Sequence, residues 1–337
     1  MKKLNPQRLQ VGDIILTSGP GKVSKAVRRM TKSEISHAMV YVQHSSLIDA
    51  TAHGVHSSNL QRLFLEDDAI VVALRHRTPL SEEVIRQVTD FVRAATGTEY
   101  SKKEAMAVVA RTMRRAGSRK QFCSRLAAQA YAFAGISLVP DPDYCSPEDL
   151  RTSTHLVEIP DVELPASNQE VAFWEARANT LVAMSEATNA VLKAARKRSD
   201  SIQSLNDIIG YLLAHPEEDR HLRRAYERSG YLTVWQLELA KSGWQYHLEL
   251  MRAAIERDPA GAPSMEEYCR ELLGDPEGGR RFEINYLGYL ELANRTGLST
   301  FRVLAELYAR LMALHQMRVE AARAWLAENA GNRQKPG

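Results

Sequence analysis

Two patterns of apolar residues divide the chain near residue 165. Before that point, short apolar runs alternate with turn residues, which is typical of β-strands. The predicted strands are 11–17, 36–42, 47–51, 69–74 and 155–159. Stretches with helical spacing lie between them, at 22–30, 81–95, 102–115 and 121–134, the last closed by Gly135. This part of the chain is therefore predicted to have an α+β fold with a small antiparallel sheet packed on helices.

After residue 167 the apolar residues recur almost entirely at helical spacing. The predicted helices are 168–198, 202–214, 217–229, 233–257, 265–273, 282–296 and 300–330. Prolines lie where these helices should end, and no fixed-period repeat is visible, which favours an irregular all-α bundle over a solenoid. We therefore predict two domains, 1–165 and 166–337, with the boundary in 160–167.

Composition and charge exclude several classes of protein. Of the 337 residues, 44% are hydrophobic and 25% are charged, which excludes wholesale disorder. Net charge is only +3, but residues 1–125 hold 21 Lys and Arg against 11 Asp and Glu. This excess favours contact with an anionic surface, although a basic face that merely maintains solubility is the alternative. The basic runs lack interleaved aromatic residues, so the sequence does not favour nucleic acid as a partner.

Location and cofactors follow from what the sequence lacks. No apolar run follows the basic N-terminus, so we expect no signal peptide and a cytoplasmic protein, unless a dedicated secretion system exports it. The three cysteines are too widely separated for a disulfide framework or a zinc cluster. His53 and His56 have no partners at metal-ligand spacing, and Gly19–Lys22 lacks the spacing of a phosphate loop. We expect neither a metal nor an organic cofactor.

Cys123 is the candidate nucleophile. It lies in the first turn of the predicted helix 121–134, where the helix dipole favours the thiolate form. Arg119, Lys120 and Arg125 are expected to add positive charge nearby. A thiolate is suited to covalent catalysis, whereas a small buried residue that only packs the helix is the alternative. Cys145 and Cys269 lack this context.

A cysteine nucleophile needs a base, and the candidate is His37. Of the histidines before residue 165, His37 begins an apolar strand, whereas the others do not. Asp49 lies in the next strand, within an otherwise apolar segment, where a carboxylate is costly without a partner. A three-residue loop, 43–45, would place Val42 opposite Ser46 and Asp49 diagonal to His37. A two-residue loop would place Asp49 on the opposite face.

These residues carry a resemblance to a known family. The segments Gly12-Asp13-Ile14, Ser36-His37-Ala38, Ile48-Asp49-Ala50 and Phe122-Cys123-Ser124 resemble the circularly permuted, NlpC-like branch of the papain superfamily, which includes the YiiX-like hydrolases. The segments that follow, 135–138 and 146–150, are also similar to that branch. The resemblance covers residues 10–160 and leaves the helical half unassigned.

The resemblance implies a permuted papain-like thiol hydrolase with Cys123 as nucleophile, His37 as base and Asp49 as the orienting residue. Asp49 departs from the Glu or His that relatives often carry there. The implied reaction is cleavage of an amide in a cell-wall peptide or protein, or of an ester, through a thioester. The implied substrates are a peptide, a glycopeptide or a lipid. A lipid acyl hydrolase or acyltransferase at an anionic membrane is one alternative, and a non-enzymatic interaction protein is another. The helical half is expected to bind substrate or a protein partner.

Overall fold

The structure is a computed structural model that describes residues 1–18, 33–43, 45–108, 119–275 and 277–332. The chain forms two compact units. The N-terminal unit comprises Met1–Ser185 and Arg196–Gly210, and the helical unit comprises Glu186–Ala195 and Tyr211–Gly337. No helix within the described ranges combines the length and the apolar character needed to cross a membrane.

A six-stranded antiparallel sheet forms the centre of the N-terminal unit, in the strand order β5-β4-β3-β2-β6-β7. Its strands are β2 (Ile14–Thr17), β3 (His37–Gln43), β4 (Ser46–Thr51), β5 (Gly54–Asn59), β6 (Val71–His76) and β7 (Leu156–Glu158). A separate two-stranded sheet pairs β1 (Lys2–Leu4) with β8 (Glu163–Pro165). The helices up to residue 175 are α1 (Glu82–Ala94), α2 (Lys102–Ala107), α3 (Cys123–Phe133), α4 (Pro147–Arg151) and α5 (Asn168–Glu175).

Two apolar clusters hold this sheet in place. In the first, Ile14, Leu16 and Val40 pack with Val88 of α1 and Leu126 of α3. The second joins other residues of the same strands to the β1 and β8 segments. Residues that are adjacent along a strand fall into different clusters, as side-chain alternation requires when both faces of a sheet are covered. The sheet is therefore a buried, fixed platform for α3.

Eight further helices complete the described chain. They are α6 (Thr180–Arg196), α7 (Leu205–Ala214), α8 (Asp219–Ser229), α9 (Trp235–Lys241), α10 (Leu248–Arg257), α11 (Ala262–Gly274), α12 (Glu277–Thr296) and α13 (Ser299–Asn332). In the helical unit, one core cluster joins α10, α11 and α13 through Met251, Cys269, Leu272 and Trp325. We found no strand among the described residues beyond Pro165, as the apolar spacing predicts.

Most predicted elements are confirmed, with shifted ends. Predicted strand 11–17 begins only at Ile14, because Gly12 takes a positive φ of 95° that interrupts the extended backbone. Strand β5 was missed because His56, Ser57, Ser58 and Asn59 make a polar run without an apolar signal. Predicted helix 168–198 is two helices, α5 and α6, and predicted helix 233–257 is likewise divided into α9 and α10. The predicted helix 22–30 and residues 109–115 of the predicted helix 102–115 lie outside the described residues.

The β3–β4 hairpin combines features of both loop lengths considered in the sequence analysis. Gln43 pairs with Ser46, so Val42 is not opposite Ser46 and the loop holds only two residues. The register shifts between Tyr41 and Gln43, which adds one residue to β3, the arrangement of a β-bulge. Beyond the bulge, Met39 pairs with Asp49, the register that a three-residue loop would give. Asp49 is therefore diagonal to His37, on the same face of the hairpin.

Candidate active site

Cys123 is the first residue of α3 and is 8% exposed. Leu126, Ala127 and Ala130 bury one side of this helix in the core of the unit. The Tyr131 hydroxyl donates a hydrogen bond of 2.6 Å to the carbonyl of Gly12, which ties the helix to the segment before β2. The apolar face of α3 thus fixes the position of its N-terminal cysteine relative to the sheet.

Buried contacts also hold the beginning of α3. Arg125 is 2% exposed, and its guanidinium donates to Glu104 Oε2 at 3.0 Å and to the Lys120 carbonyl at 2.9 Å. The same guanidinium lies over the rings of Phe122 and Tyr144. Ser124 Oγ donates to the Cys145 carbonyl at 2.8 Å. Since the residues on both sides of Cys123 are anchored, its side chain projects from a fixed backbone.

His37 and Asp49 lie together as the sequence predicts. His37 begins β3, and its Nε2 lies 2.6 Å from Asp49 Oδ2. The Asp49 side chain is 6% exposed, whereas that of His37 is 24% exposed. A carboxylate this deeply buried requires a hydrogen-bond donor, which His37 provides. The imidazole is thus oriented on one side while part of its surface remains open to solvent.

Cys123 and His37 form a hydrogen-bonded pair in which each changes the other's pKa. Burial alone would raise the pKa of the Cys123 thiol. The His37 hydrogen bond and charge, with the backbone amides of Ala38 and Ser124, lower it overall. Burial likewise opposes protonation of His37, but Asp49 and Cys123 raise its pKa to about 10. The contacts between the two residues thus favour the thiolate form of Cys123 and the imidazolium form of His37.

The three basic residues expected to surround Cys123 are each paired with a carboxylate. Arg119 contacts Asp207 at 2.7 Å, Lys120 contacts Glu99 at 2.7 Å, and Arg125 contacts Glu104 at 3.0 Å. Each positive charge therefore has a nearby counter-charge, and none of the three is among the causes that lower the pKa of the Cys123 thiol. His37 and the backbone amides lower the thiol pKa instead.

Tyr100 is a site residue that the sequence analysis missed. Its backbone forms a bridge with Gln121, two residues before Cys123. Burial, and then the negative charge of Cys123, raise the pKa of its phenol, which places the ring within electrostatic reach of the thiolate. Tyrosines are common in buried positions, and no pattern in the sequence distinguishes this one.

The other cysteines are buried and less acidic. Burial and the charges of Asp149 and Cys123 raise the pKa of Cys145, and burial and Glu266 raise that of Cys269 to about 11. Among the remaining candidate bases, His56 lies opposite Asp49 across β4 and β5, and His76 lies on β6. His44 is outside the described residues. No group of three or more metal-ligating side chains occurs within the described part of the chain.

The order of the site residues is His37 on a strand, Asp49 on the next strand and Cys123 at the start of a later helix. Residues 8–153 match the sequence model of a family described as permuted papain-like amidase enzymes, YaeF/YiiX, the C92 family. These residues belong to that family. The match includes Cys123, His37 and Asp49, and it ends before the helical unit. Residues 8–153 are accordingly a permuted papain-like domain of a cysteine-dependent hydrolase.

A solved structure is also similar to part of the chain. It is the crystal structure of the metalloprotein YiiX from Escherichia coli O157:H7, with 18% sequence identity and a TM-score of 0.37. The match covers 47% of this chain and 99% of that one. A comparison with curated proteins found no match.

Proposed function

We propose that the chain hydrolyses an amide bond, with Cys123 as nucleophile, His37 as general base and Asp49 as the residue that orients His37. The observation that carries the proposal is the hydrogen-bonded series from Asp49 through His37 to Cys123, in which the thiol pKa is lowered. The family match supports amide chemistry. Each of the three side chains then has a role that its contacts support.

In the proposed reaction, the Cys123 thiolate attacks the amide carbonyl and forms a C–S bond. The backbone N–H of Cys123 then donates to the oxyanion, since Phe122 makes no side-chain cap at this helix end. The His37 imidazolium gives its proton to the departing amine as the C–N bond breaks. Neutral His37 next removes a proton from water, whose oxygen attacks the thioester. The C–S bond breaks, the carboxylic acid leaves, and the Cys123 thiolate and the His37 imidazolium are restored.

For the substrate, we propose a peptide or glycopeptide amide, such as one in a bacterial cell wall or a protein. The excess of positive charge in residues 1–125 also supports an anionic lipid, with ester hydrolysis or acyl transfer as the reaction. We further propose that residues 166–337 form a domain that binds the substrate or a protein partner. The proposed location is the cytoplasm, with export only through a dedicated secretion system.

The experiment that tests the site is alkylation of the folded protein by iodoacetamide across a range of pH. Mass spectrometry reads the extent of labelling at Cys123, Cys145 and Cys269 separately. We expect Cys123 to react well below about pH 8, where an ordinary thiol is mostly protonated. The other two cysteines should react slowly, because burial raises their pKa.

The deciding variant is His37→Ala. It removes the imidazolium that lowers the thiol pKa, so the Cys123 profile should shift to higher pH. Equal reactivity of Cys123 with and without His37 would contradict the proposed pair and favour the non-enzymatic alternative. If the pair is present, a panel of peptide amides, glycopeptides and acyl lipids then separates the proposed substrates.

A further inference from the structure

The buried Asp49 carboxylate has one oxygen that His37 does not reach. Oδ2 contacts His37 at 2.6 Å, whereas Oδ1 is buried and has no hydrogen-bond partner among the residues that the structure describes. A buried carboxylate oxygen without a donor is unfavourable, because it has lost water without a replacement. The oxygen therefore indicates that a donor belongs on the other side of Asp49.

His56 occupies that side. It pairs directly with Asp49 in the β4–β5 register, and its Nε2 lies 3.6 Å from Asp49 Oδ1. This distance is beyond a hydrogen bond but within that of an ion pair, so a small movement would close it. The His56 side chain is 23% exposed, so part of the ring is in contact with solvent.

The contact made by the other ring nitrogen of His56, Nδ1, shows which nitrogen carries the hydrogen of a neutral ring. Nδ1 lies 3.1 Å from the carbonyl oxygen of Gly54, and a carbonyl can only accept, so Nδ1 carries a hydrogen. A neutral ring would then present a lone pair at Nε2 to a carboxylate oxygen, which is repulsive. A second ring proton, on Nε2, turns that contact into a charge-assisted hydrogen bond.

The turn that holds the Gly54 carbonyl is itself fixed. Gly54 has a φ of 92°, and a Cβ added there would lie 2.7 Å from the Thr98 carbonyl oxygen. The neighbouring Val55 N–H donates to that same oxygen at 2.9 Å, and Gly97 N–H donates to the Val55 carbonyl at 2.8 Å. The backbone therefore sets the orientation of the His56 ring before any contact with Asp49.

We propose that His56 is a positioning residue of this site: its imidazolium donates from Nε2 to Asp49 Oδ1 and holds the carboxylate so that Oδ2 faces His37. His56 acts through Asp49 and touches neither Cys123 nor the substrate. The inference rests on the proposed function, because it extends the series of residues that orients the base.

The test compares three variants by the rate at which iodoacetamide alkylates Cys123 across pH. His56→Leu removes the donor, and we expect Cys123 to react about tenfold more slowly near pH 6, with the profile shifted upward. His56→Gln keeps an N–H donor at this position and should restore at least half of the wild-type rate. His76→Leu is the matched control, since His76 Nδ1 also contacts a backbone carbonyl two residues away, at 2.7 Å, and should leave the rate unchanged.

Each outcome decides the inference. A His56→Leu protein that reacts like the wild type, while His37→Ala reacts slowly, overturns the role of His56 and leaves the proposed function intact. Equal losses in His56→Leu and His56→Gln, with thermal unfolding unchanged, also overturn it, because the donor would then not matter. If His37→Ala reacts like the wild type, the proposed function itself fails.

Discussion

Two buried cysteines, one in each compact unit, have thiol pKa values shifted in opposite directions. Cys123 begins α3 beside His37, and its thiol pKa is lowered despite its burial. Cys269 lies within α11 among Met251, Leu272 and Trp325, where burial and the charge of Glu266 raise its pKa to about 11. The comparison shows that burial does not decide the reactivity of a thiol. Its position on the helix and its hydrogen-bond partners decide it.

The surroundings of the two cysteines differ in the same way. In the N-terminal unit, buried or partly buried charges occur in contacting pairs, such as Arg125 with Glu104 and Arg75 with Asp13. In the helical unit, an ion pair such as Arg270 with Glu266 joins neighbouring turns of one helix, with Arg270 largely exposed. Charges buried in pairs fix side chains relative to one another, whereas an exposed pair contributes little to the free energy of unfolding. In the N-terminal unit, such pairs therefore add fixed polar contacts to the two apolar clusters.

The sharpest test of the comparison replaces each cysteine by alanine. When the protein reacts with p-nitrophenyl acetate, acylation of Cys123 should release a burst of p-nitrophenolate. Cys123→Ala should lower the rate of this acylation by at least about ten-thousandfold, because no nucleophile remains to be acylated. Cys269→Ala should keep the burst, since Cys269 lies only in an apolar core. A burst that survived in Cys123→Ala, or disappeared in a folded Cys269→Ala protein, would reverse the assignment.

A smaller effect is expected for Asp49→Asn. The amide keeps the shape of the side chain but removes the charge that supports the His37 imidazolium, so acylation by p-nitrophenyl acetate should slow by about a thousandfold. The rate of acylation is expected to depend on pH as a bell-shaped curve, and this curve should become narrower in Asp49→Asn. Its lower pH limit rises because the thiol pKa rises, and its upper pH limit falls because the pKa of His37 falls. Asp68→Asn, an exposed carboxylate of the same unit, is the control and should change neither.

The sequence located the three residues of the proposed site because each interrupts a local pattern. His37 begins an apolar strand, Asp49 is a charge within one, and Cys123 opens a helix that ends at Gly135. The structure places all three together. Strand alternation left the face of Asp49 open, because the two loop lengths considered give opposite faces. The loop has two residues, and the bulge near Val42 supplies the extra residue that places Asp49 on the same face as His37.

Other features of the site depend on contacts between residues far apart in the chain. Arg119 is paired with Asp207, 88 positions away, so its charge could not be assessed from its neighbours in the sequence. His56 lies in a polar strand that gave no signal, and only the β4–β5 register places it opposite Asp49. Local patterns predict elements, whereas the pairing of charges requires the fold.

The smallest predicted effect concerns stability and tests the contrast between buried and exposed charges. Asp13 is 2% exposed and accepts two hydrogen bonds from Arg75, at 2.7 and 2.9 Å. Arg75→Met should lower the free energy of unfolding of the N-terminal unit by about 2 kcal/mol near pH 7.5. This is less than for a fully buried pair, because the Arg75 side chain is 30% exposed.

The loss of unfolding free energy in Arg75→Met should depend on pH. Burial already raises the pKa of Asp13, and without Arg75 that pKa rises further above its unfolded value. The folded variant then binds a proton more tightly than the unfolded chain, so its stability falls as pH rises and the loss is smaller near pH 5.

Hydrogen exchange in urea, read by mass on peptides of each unit, measures the loss. The exposed counterpart, Arg270→Met in α11, should cost at most about 0.5 kcal/mol at either pH. Equal losses for the two arginines would mean that burial of charge does not distinguish the units.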